Sequence, residues 1–360
     1  MFIRGELLTV TAPTVSVIVV NWERRELLRA CLLSLRAQVF RDFEIIVVDN
    51  GSGDGSPDMV RAEFPEAALI RNRENRGFCA GNNQGMAQAR GRYIALLNND
   101  AEADPLWLRE LVAGTASEPD IGMWASKILV YEVRDIIDKV GHLLYPDGQN
   151  RGRGCGERDG GQYSQPEEAL FPDGCAAMYD RAVFETAGTF DEDFFAYGDD
   201  AELGLRARLA GWRCRYVPTA VVYHHHSSTL GRFSEDRLVL VERNRLWLAT
   251  KLFPWLLLVL NPVYTTIRLA ANALAAVRGR GEAGGFAAER GWWPALRLLW
   301  RAYRAALRGL PRMLAKRRLV RRQRKLSDRD FLRLLRRFRI TARELAFQAP
   351  PLRASPDTDS

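Results

Sequence analysis

Residues 43–52 read FEIIVVDNGS, an apolar run rich in β-branched side chains that ends in a polar turn. A run of this kind predicts a strand that is buried on both faces of a parallel sheet. VSVIVV at residues 15–20 predicts a second such strand, and residues 25–39 between the two have helical spacing. Strands that alternate with helices predict βαβ units, so we expect a mostly parallel α/β sheet.

The same alternation continues along the chain. Strands are predicted at residues 68–70, 93–97, 215–217 and 220–223, and helices at residues 58–64, 82–90, 180–187 and 200–210. Ligands of open α/β sheets bind beyond the carboxyl ends of the strands. Two polar clusters follow predicted strands there, DNGS at residues 49–52 and NND at residues 98–100. Residues 146–167, rich in Gly, Arg and Asp, predict a long surface loop.

Charge divides the chain into two parts. The 360 residues carry a formal charge of +8, but residues 1–240 hold 26 basic and 36 acidic residues, whereas residues 241–360 hold 26 and 8. The two parts therefore have net charges of −10 and +18, which predicts two separate roles. An apolar fraction of 47% excludes a disordered protein.

Cysteine usage and the first residues indicate the compartment. Five cysteines, an odd number without a C-x-x-C pair, argue against a disulfide framework and against a cysteine zinc site. The first 14 residues contain no apolar run long enough for a signal peptide. We therefore expect the acidic part to face the cytoplasm.

Several short stretches carry candidate chemistry, and each also has a purely structural interpretation. Asp49 can hold a ribose or base, or simply form a turn with the following Gly and Ser. The two glycines and three amides of residues 75–83 can present backbone N–H groups to an anionic ligand, or form an ordinary loop with an Asn cap. Asp100 can hold a divalent cation that bridges a diphosphate. Asp104 is better explained as a helix cap.

Acidic and histidine clusters follow later in the sequence. Asp199 and Asp200 come at a predicted helix start with aromatic neighbours, where paired carboxylates raise each other's proton affinity and suit a general base. The alternative is a helix N-terminus whose acidic residues complement the macrodipole. Of the histidines at residues 224–226, one can join Asp100 on a metal, because side chains alternate along a strand. We interpret His225 and His226 as a polar loop.

Taken in order, these blocks closely resemble the family 2 glycosyltransferases, and most of all their rhamnosyltransferase-like branch. The resemblance spans residues 15–228 and rests on SVIVVNW, EIIVVDNGSGDGS, ENRGFCAGNNQG, ALLNNDAEAD, DGCAAMYDRAVFETAGTFDEDFFAYGDDAELGLRARLAGW and VPTAVVYHHHSS. It implies a GT-A fold and transfer of a sugar, with inversion, from a nucleoside-diphosphate donor. No G-x-G-x-x-G follows the first strand, which disfavours a dehydrogenase.

The resemblance also implies roles for particular residues. Asp200 matches the catalytic base, with Asp199 beside it, and Asp100 and His224 match ligands of a Mg²⁺ or Mn²⁺ ion. Asn98 stands where the family has the first Asp of its D-x-D motif. Nucleotide-sugar contacts are implied for Asn21, Asp49, Asn50, Ser52, Asn75, Gly77, Asn82, Asn98, Asp173 and Gly174. The changes at Asn98 and Asp199 leave open a sugar-nucleotide-binding subunit that has lost catalysis.

The basic C-terminal part has no catalytic motif. Residues 246–277 are apolar but interrupted, so they fail as a spanning helix. We predict two interfacial or re-entrant helices broken near Asn261 and Pro262, and a buried helical hairpin is the alternative. Residues 311–340 carry thirteen Lys or Arg and two Asp. These features predict association with an anionic membrane surface. A basic helical bundle that binds a partner or a second copy is the alternative, and a nucleic-acid binder is disfavoured because no known module is present.

The predicted organisation is therefore a GT-A domain over residues 1–240, a membrane-associating helical region over 241–345 and a disordered tail over 346–360. The expected partners are a nucleoside-diphosphate sugar, a glycan or lipid-linked acceptor used in cell-surface polysaccharide assembly, and the cytoplasmic face of the inner membrane. The donor sugar, with rhamnose as the candidate from the branch, the acceptor and the oligomeric state are not predicted by the sequence.

Overall fold

A computed structural model describes residues 12–116, 118–226, 234–281 and 291–347. Its centre is a ten-stranded mixed sheet with the main strand order β10-β12-β6-β11-β4-β1-β2-β3, in which β5 pairs with β12 and β7 with β6. The strands are β1 (Val15–Asn21), β2 (Phe43–Asp49), β3 (Ala68–Arg71), β4 (Tyr93–Leu97), β5 (Ala101–Ala103), β6 (Ile121–Val130), β7 (Ile137–Lys139), β8 (His142–Leu144), β9 (Asn150–Gly152), β10 (Glu167–Ala169), β11 (Ala176–Asp180) and β12 (Arg213–His224).

Helices flank this sheet and fill the C-terminal region. They are α1 (Arg25–Arg36), α2 (Ser56–Glu63), α3 (Gly77–Gln88), α4 (Trp107–Ala113), α5 (Arg181–Ala187), α6 (Asp199–Leu209), α7 (Glu235–Leu252), α8 (Trp255–Val277), α9 (Trp292–Gln323), α10 (Asp328–Arg337) and α11 (Ala342–Phe347). Strands β4, β1, β2 and β3 are parallel, as the alternation of strands and helices predicted.

The β-branched runs form strands because both faces of the sheet are covered. Val17 and Val19 of β1 pack into one apolar cluster, whereas Ile18 packs into the other on the opposite face. Such two-sided burial explains why these strands are continuously apolar rather than alternating. The two strands predicted at residues 215–217 and 220–223 form the single strand β12, with a bulge between Val217 and Val221.

The basic region shares a core with the sheet. Trp247 and Phe253 near the end of α7, Met313 of α9 and Phe331 of α10 belong to the same buried cluster as Ile18. The described helices of residues 235–347 therefore pack as part of the main body. Within the described residues no helix is both long enough and apolar enough to cross a bilayer. Residues 348–360, which hold nearly all of the predicted tail, and Ser227 and Ser228 lie outside the described part.

Two predictions about local structure are wrong. The helix break falls at Phe253 and Pro254, and Pro262 lies inside α8. Phe253 has the extended backbone that a following proline favours, whereas Asn261 stays helical and donates a hydrogen bond to the Asp147 carbonyl oxygen. Residues 146–167 are more than a surface loop, because β9 pairs with β8 and residues 148–152 line the main cavity.

Candidate active site

The carboxyl ends of β1 and β4 open onto a cavity of about 1130 Å³. Ten of the fourteen predicted site residues line it: Asn50, Asn75, Gly77, Asn98, Asp100, Asp173, Gly174, Asp199, Asp200 and His224. The sequence motifs, which are spread over some 175 residues, are thus brought to one place, as the rule for ligand sites in α/β sheets predicts.

The four predicted residues that do not line the cavity brace its wall. Asn21 Nδ2 donates hydrogen bonds to Asp49 Oδ2 at 3.0 Å and to Ser52 Oγ at 3.2 Å. Asp49 Oδ1 accepts from the backbone N–H groups of Gly51 and Ser52. Asn82 Nδ2 donates to the carbonyl oxygen of Phe78 one helical turn earlier. The hydrogen bonds of Asn21, Asp49 and Ser52 fix the turn after β2, whereas Asn82 bonds within α3.

Glycine is required where α3 begins beside the cavity. The helix begins at Gly77, five residues before the predicted start at residue 82, so residues 77–81 are helical rather than part of a loop. Gly77 has a φ of +84°, and a Cβ atom built on it would lie 2.5 Å from the Phe195 ring. The Asn75 side chain accepts a hydrogen bond from the Gly77 N–H at 2.9 Å. The start of α3 therefore packs closely against the segment that leads to Asp200.

One group of carboxylate and imidazole side chains surrounds the end of β12. Pairing of His224 with Ala101 across β12 and β5 brings His224 next to Asp100, with 3.3 Å between Nε2 and Oδ1. The other ring nitrogen, Nδ1, lies 2.9 Å from Asp138 Oδ2, and His226 Nε2 lies 3.1 Å from Asp138 Oδ1. Burial acts to raise the Asp138 pKa, but Lys139 and the two histidines hold it well below its usual range.

This first group has the donor set that a divalent cation needs. Asp138, His224 and His226 offer ligand atoms that lie within 4.8 Å of one another. His226 lies in the loop that we expected after β12, but its ring faces the buried Asp138 carboxylate. His225 points elsewhere: its Nε2 lies 2.9 Å from Glu102 and its ring stacks on Tyr131. The two neighbouring histidines therefore face different carboxylates, and His226 has a φ angle of 51°.

A second group surrounds Asp200. His142 Nε2 lies 2.8 Å from Asp173 Oδ2 and 3.6 Å from Asp200 Oδ2, and Lys139 Nζ lies 2.8 Å from Asp173 Oδ2. The His142 ring stacks on Phe171. Burial acts to raise the pKa of Asp173, but Lys139 and His142 hold that pKa far below its usual value. Asp173 is therefore an ionised carboxylate at neutral pH.

Asp199 and Asp200 behave in the opposite way. Burial is the main cause that raises the Asp200 pKa, and the nearby Asp173 charge adds to it, while His142 opposes both. Burial, and then the Asp200 charge, raise the pKa of Asp199 well above its usual value. Backbone N–H groups of Ala201 and Gly174 donate to Asp200 at 2.7 and 3.4 Å. The pair combines a raised proton affinity with a fixed orientation.

The segment before Asp200 is strained and is held by the basic region. Phe195 and Tyr197 have φ angles of 66° and 67°, a backbone region that costs free energy for residues other than glycine. Asn244 Nδ2 of α7 lies 2.9, 2.8 and 2.7 Å from the carbonyl oxygens of Phe194, Ala196 and Tyr197. One side chain of the C-terminal region therefore fixes the conformation that leads into the acidic pair.

Sequence reasoning missed five residues of this site: Asp138, Lys139, His142, His226 and Asn244. The charged pair Asp138-Lys139 between apolar Ile137 and Val140 is a weak signal that a buried charge was present. Its place beside His224 depends on β7 pairing with β6 and β6 with β12, which local pattern does not predict. Nothing in the sequence indicates a role for Asn244, because a single Asn within a helical pattern is common.

Comparison with known sequences agrees with the family that the sequence resembles. The profile described as Glycosyl transferase family 2 matches residues 16–188, and one described as Glycosyltransferase like family 2 matches residues 153–243. The two family 2 models together span residues 16–243, so the chain belongs to the family 2 glycosyltransferases, and its relatives include a rhamnosyltransferase.

Two curated relatives illustrate the branch. The chain is 31% identical over 231 residues to the O-antigen biosynthesis protein RfbC of Myxococcus xanthus, and the matched region covers 60% of this chain and 18% of that protein. It is 26% identical over 246 residues to the N-acetylglucosaminyl-diphospho-decaprenol L-rhamnosyltransferase of Mycobacterium tuberculosis, covering 60% of this chain and 77% of that one. The chain thus spans less than a fifth of RfbC, and it spans 25% of protein y4gI of Sinorhizobium fredii.

Solved structures show the same architecture. The mannosyltransferase PcManGT of Pyrobaculum calidifontis, solved with GDP-Man and Mn²⁺, aligns with a TM-score of 0.50 and 19% identity over 86% of this chain and 87% of that one. The protein therefore has the GT-A fold, as the sequence predicted.

Proposed function

We propose that the chain transfers a sugar, with inversion, from a nucleoside-diphosphate donor to an acceptor hydroxyl in glycan assembly. The proposal rests on one observation. Asp200, a carboxylate whose pKa is raised, shares one cavity with two groups of carboxylate and histidine side chains at the carboxyl edge of a GT-A sheet. The names of the related O-antigen and rhamnosyltransferase proteins support the glycan-assembly role and make rhamnose the first donor sugar to test.

The residues present fit a divalent cation. Asp100 and His224 are buried, lie 3.3 Å apart and face the cavity, and Asp138 lies against the second ring nitrogen of His224. We assign Asp100 and His224 as ligands, with Asp138 orienting His224 in the way that outer carboxylates orient metal-binding histidines. Mg²⁺ or Mn²⁺ bound there would stabilise the negative charge of the leaving diphosphate.

Asp200 acts as the base. Its carboxylate takes the proton of the acceptor hydroxyl, that oxygen forms a bond to the anomeric carbon, and the bond to the diphosphate oxygen breaks. Attack from the face opposite the diphosphate inverts the anomeric configuration. A raised pKa suits this role, because a base works best when its pKa lies closer to the working pH. Burial and the Asp200 charge raise the pKa of Asp199 well above its usual value, which favours its protonated form and disfavours a second charge beside the base.

The remaining assigned residues hold the donor. Asn50, Asn75, Gly77 and Asn98 line the side of the cavity built from the first βα units, where the nucleotide is expected. Asn21, Asp49, Ser52 and Asn82 keep that wall in place through the hydrogen bonds described above. Asp173 and Gly174, next to Lys139 and Asp200, are assigned to the donor sugar.

We also propose that the basic region rests on an anionic membrane surface. Twelve of the fourteen large apolar side chains that are exposed in the described structure belong to α8 and α9. On α9, exposed Trp293 and Trp300 accompany arginines, and the Arg304 guanidinium lies over the Trp300 ring at 5.2 Å. Aromatic and basic side chains on one helix face suit a lipid interface. Vesicle flotation tests this proposal. We expect the wild type to float with anionic but not with neutral vesicles, and we expect the double variant Trp293→Ser, Trp300→Ser to lose this flotation. Equal flotation of the wild type and the double variant would refute the proposal.

A panel of nucleotide sugars, each with Mn²⁺ and with EDTA, tests the catalytic proposal. We expect one donor to raise the melting temperature and to release its nucleoside diphosphate only with the cation and an acceptor. Donor binding without release of nucleoside diphosphate from any donor would favour the rival function, a subunit that binds sugar nucleotides without catalysis. Asn98, which replaces the usual Asp, is the reason to test this alternative.

A further inference from the structure

The two ring nitrogens of His224 face two different carboxylates. Nε2 lies 3.3 Å from Asp100 Oδ1, whereas Nδ1 lies 2.9 Å from Asp138 Oδ2. The Mg²⁺ or Mn²⁺ ion assigned above, which we call the catalytic cation, uses the Nε2 side of the ring. On the Nδ1 side, Asp138 serves in the proposed function only to orient the ring. This side nevertheless has the makings of a metal site of its own.

The Nδ1 side holds three protein ligands in close proximity. Asp138, His224 and His226 offer atoms that all lie within 4.8 Å of one another. His226 Nε2 lies 3.1 Å from Asp138 Oδ1, yet no described residue meets this buried nitrogen with hydrogen-bond geometry. Bonds of about 2.0 Å to a tetrahedral zinc ion place its ligand atoms roughly 3.3 Å apart. The group therefore needs little movement to close on an ion.

The two sides of the His224 ring favour different cations. Two imidazoles and one carboxylate are a ligand set typical of zinc, with a further position left open for water. One imidazole with carboxylate, phosphate and water oxygens suits Mg²⁺ or Mn²⁺ better. Sites built from nitrogen and oxygen ligands also bind Zn²⁺ more tightly than Mn²⁺ in general. The Nδ1 side should therefore select zinc.

The other carboxylate and histidine group, around Asp200, is less suited to zinc. It offers one imidazole, that of His142, and its Asp173 carboxylate is already paired with Lys139 Nζ at 2.8 Å and with His142 at 2.8 Å. Lys139 Nζ lies farther from Asp138, at 3.8 Å. The Asp138 carboxylate is therefore the one with two imidazoles and the more distant ammonium group.

We propose that Asp138, His224 and His226 form a zinc site whose occupation excludes the catalytic cation. A neutral imidazole binds a metal through one nitrogen and keeps a proton on the other. Zinc on Nδ1 leaves the His224 proton on Nε2, facing Asp100, so this nitrogen is no longer a metal ligand. Zinc is thereby an inhibitor of the transfer reaction. The exclusion rests on the proposed function, which assigns the catalytic cation, whereas the zinc site itself does not.

Zinc and Mn²⁺ binding to the full-length chain, each measured by titration calorimetry with the metal alone, test the site. His226→Gln removes a ligand of zinc only. We expect it to weaken zinc binding at least about 100-fold, the upper range for loss of an outer partner, and to leave Mn²⁺ binding unchanged. Asp100→Asn should weaken Mn²⁺ binding and keep zinc binding. His225→Gln is the matched control, because His225 faces Glu102, and should bind both ions like the wild type.

The pattern across these variants decides where zinc binds. Zinc binding that is lost in His226→Gln and kept in Asp100→Asn supports the zinc site. The reverse pattern would place zinc at the ligands of the catalytic cation and overturn the proposal. Loss in His142→Gln without loss in His226→Gln would overturn it too, because zinc would then lie in the group around Asp200. A wild type that binds no zinc also overturns it, while Mn²⁺ binding and donor turnover keep the proposed function standing.

Displacement of Mn²⁺ tests the exclusion. Electron paramagnetic resonance measures the free Mn²⁺ that zinc releases from the loaded chain. Release from the wild type should need far less zinc than release from His226→Gln. Equal release from both would show that zinc simply replaces Mn²⁺ at the same ligands, which would overturn the exclusion. If the wild type binds zinc but no Mn²⁺, the zinc site stands and the assigned catalytic cation fails.

Discussion

The acidic and the basic regions use their charged and apolar side chains in opposite ways. In the described residues up to 226, buried carboxylates gather around a cavity, and Leu33 and Val39 are the only large apolar side chains with high exposure. In the described residues from 234 onward, buried cations reach across to the acidic region, and twelve large apolar side chains are exposed. Lys251 pairs with Asp191 and Glu202, each at 2.7 Å.

This difference shows that the net charges of −10 and +18 are partly complementary within the molecule. Lys316 pairs with Asp191 and Asp193, and Arg337 pairs with Glu168. Asp191 and Asp193 precede Asp199 and Asp200 in the chain, so the basic region neutralises and braces the segment that leads to Asp200.

The strongest test of the acidic region is Asp200→Asn. Loss of the base should reduce turnover about 10³-fold, within the range known for general acid–base catalysis. Nucleotide binding with Mn²⁺ should remain near the wild-type value, because the nucleotide wall lies around Asn50 and Asn75. The measurement is nucleoside diphosphate release alongside calorimetric binding. Turnover above a tenth of the wild-type rate would remove Asp200 from the mechanism.

The link between the regions is tested by Lys251→Met. This change removes the buried ammonium group that Asp191 and Glu202 share, although Lys316 and Arg206 still pair with these two carboxylates. Removing one partner of a buried ion pair costs about 3 kcal/mol of unfolding free energy. Urea denaturation measures the loss. Arg301→Met is the matched control, because its pair with Glu235 is largely exposed and should contribute less than about 1 kcal/mol. Equal losses would mean that the pair is not buried as described.

The positioning role of the basic region is tested by Asn244→Ala. Removal of three contacts to the strained segment should lower kcat about tenfold while the dissociation constant for the nucleotide stays the same, since misplacement of a catalytic group costs rate rather than binding. Arg304→Ala, on the exposed face of α9, is the control and should keep its kcat. A parallel rise in the nucleotide dissociation constant would indicate general unfolding of the site.

The smallest predicted effect is a shift in pH dependence. Asp200 must be ionised to accept a proton, so activity falls as pH falls through its pKa, and burial places this fall above the usual carboxyl value of 3.8. His142 acts to lower the Asp200 pKa, so His142→Gln should move the acidic limb of kcat/KM to higher pH. A limb that stays in place or moves to lower pH in this variant would contradict the assigned environment.

The fold and much of the site were predictable because their signals are local. The runs at residues 15–20 and 43–48 form strands since both faces are buried. Asp100 directly precedes β5, Asp200 lies in the first turn of α6, and His224 ends β12. Asp138 and His142 were not predictable, because strand pairing far along the chain brings them to the cavity. The position of the helix break was missed because contacts of Asn261 with Asp147 keep α8 helical before Pro262.

The configuration of the newly formed glycosidic bond tests the central claim most directly. With the donor found in the panel, proton NMR of the first product formed by the wild type reports the anomeric configuration before any equilibration. A single displacement with Asp200 as the base predicts a product whose configuration is the inverse of the donor's. A product that retains the donor's configuration would contradict the mechanism and the role given to Asp200.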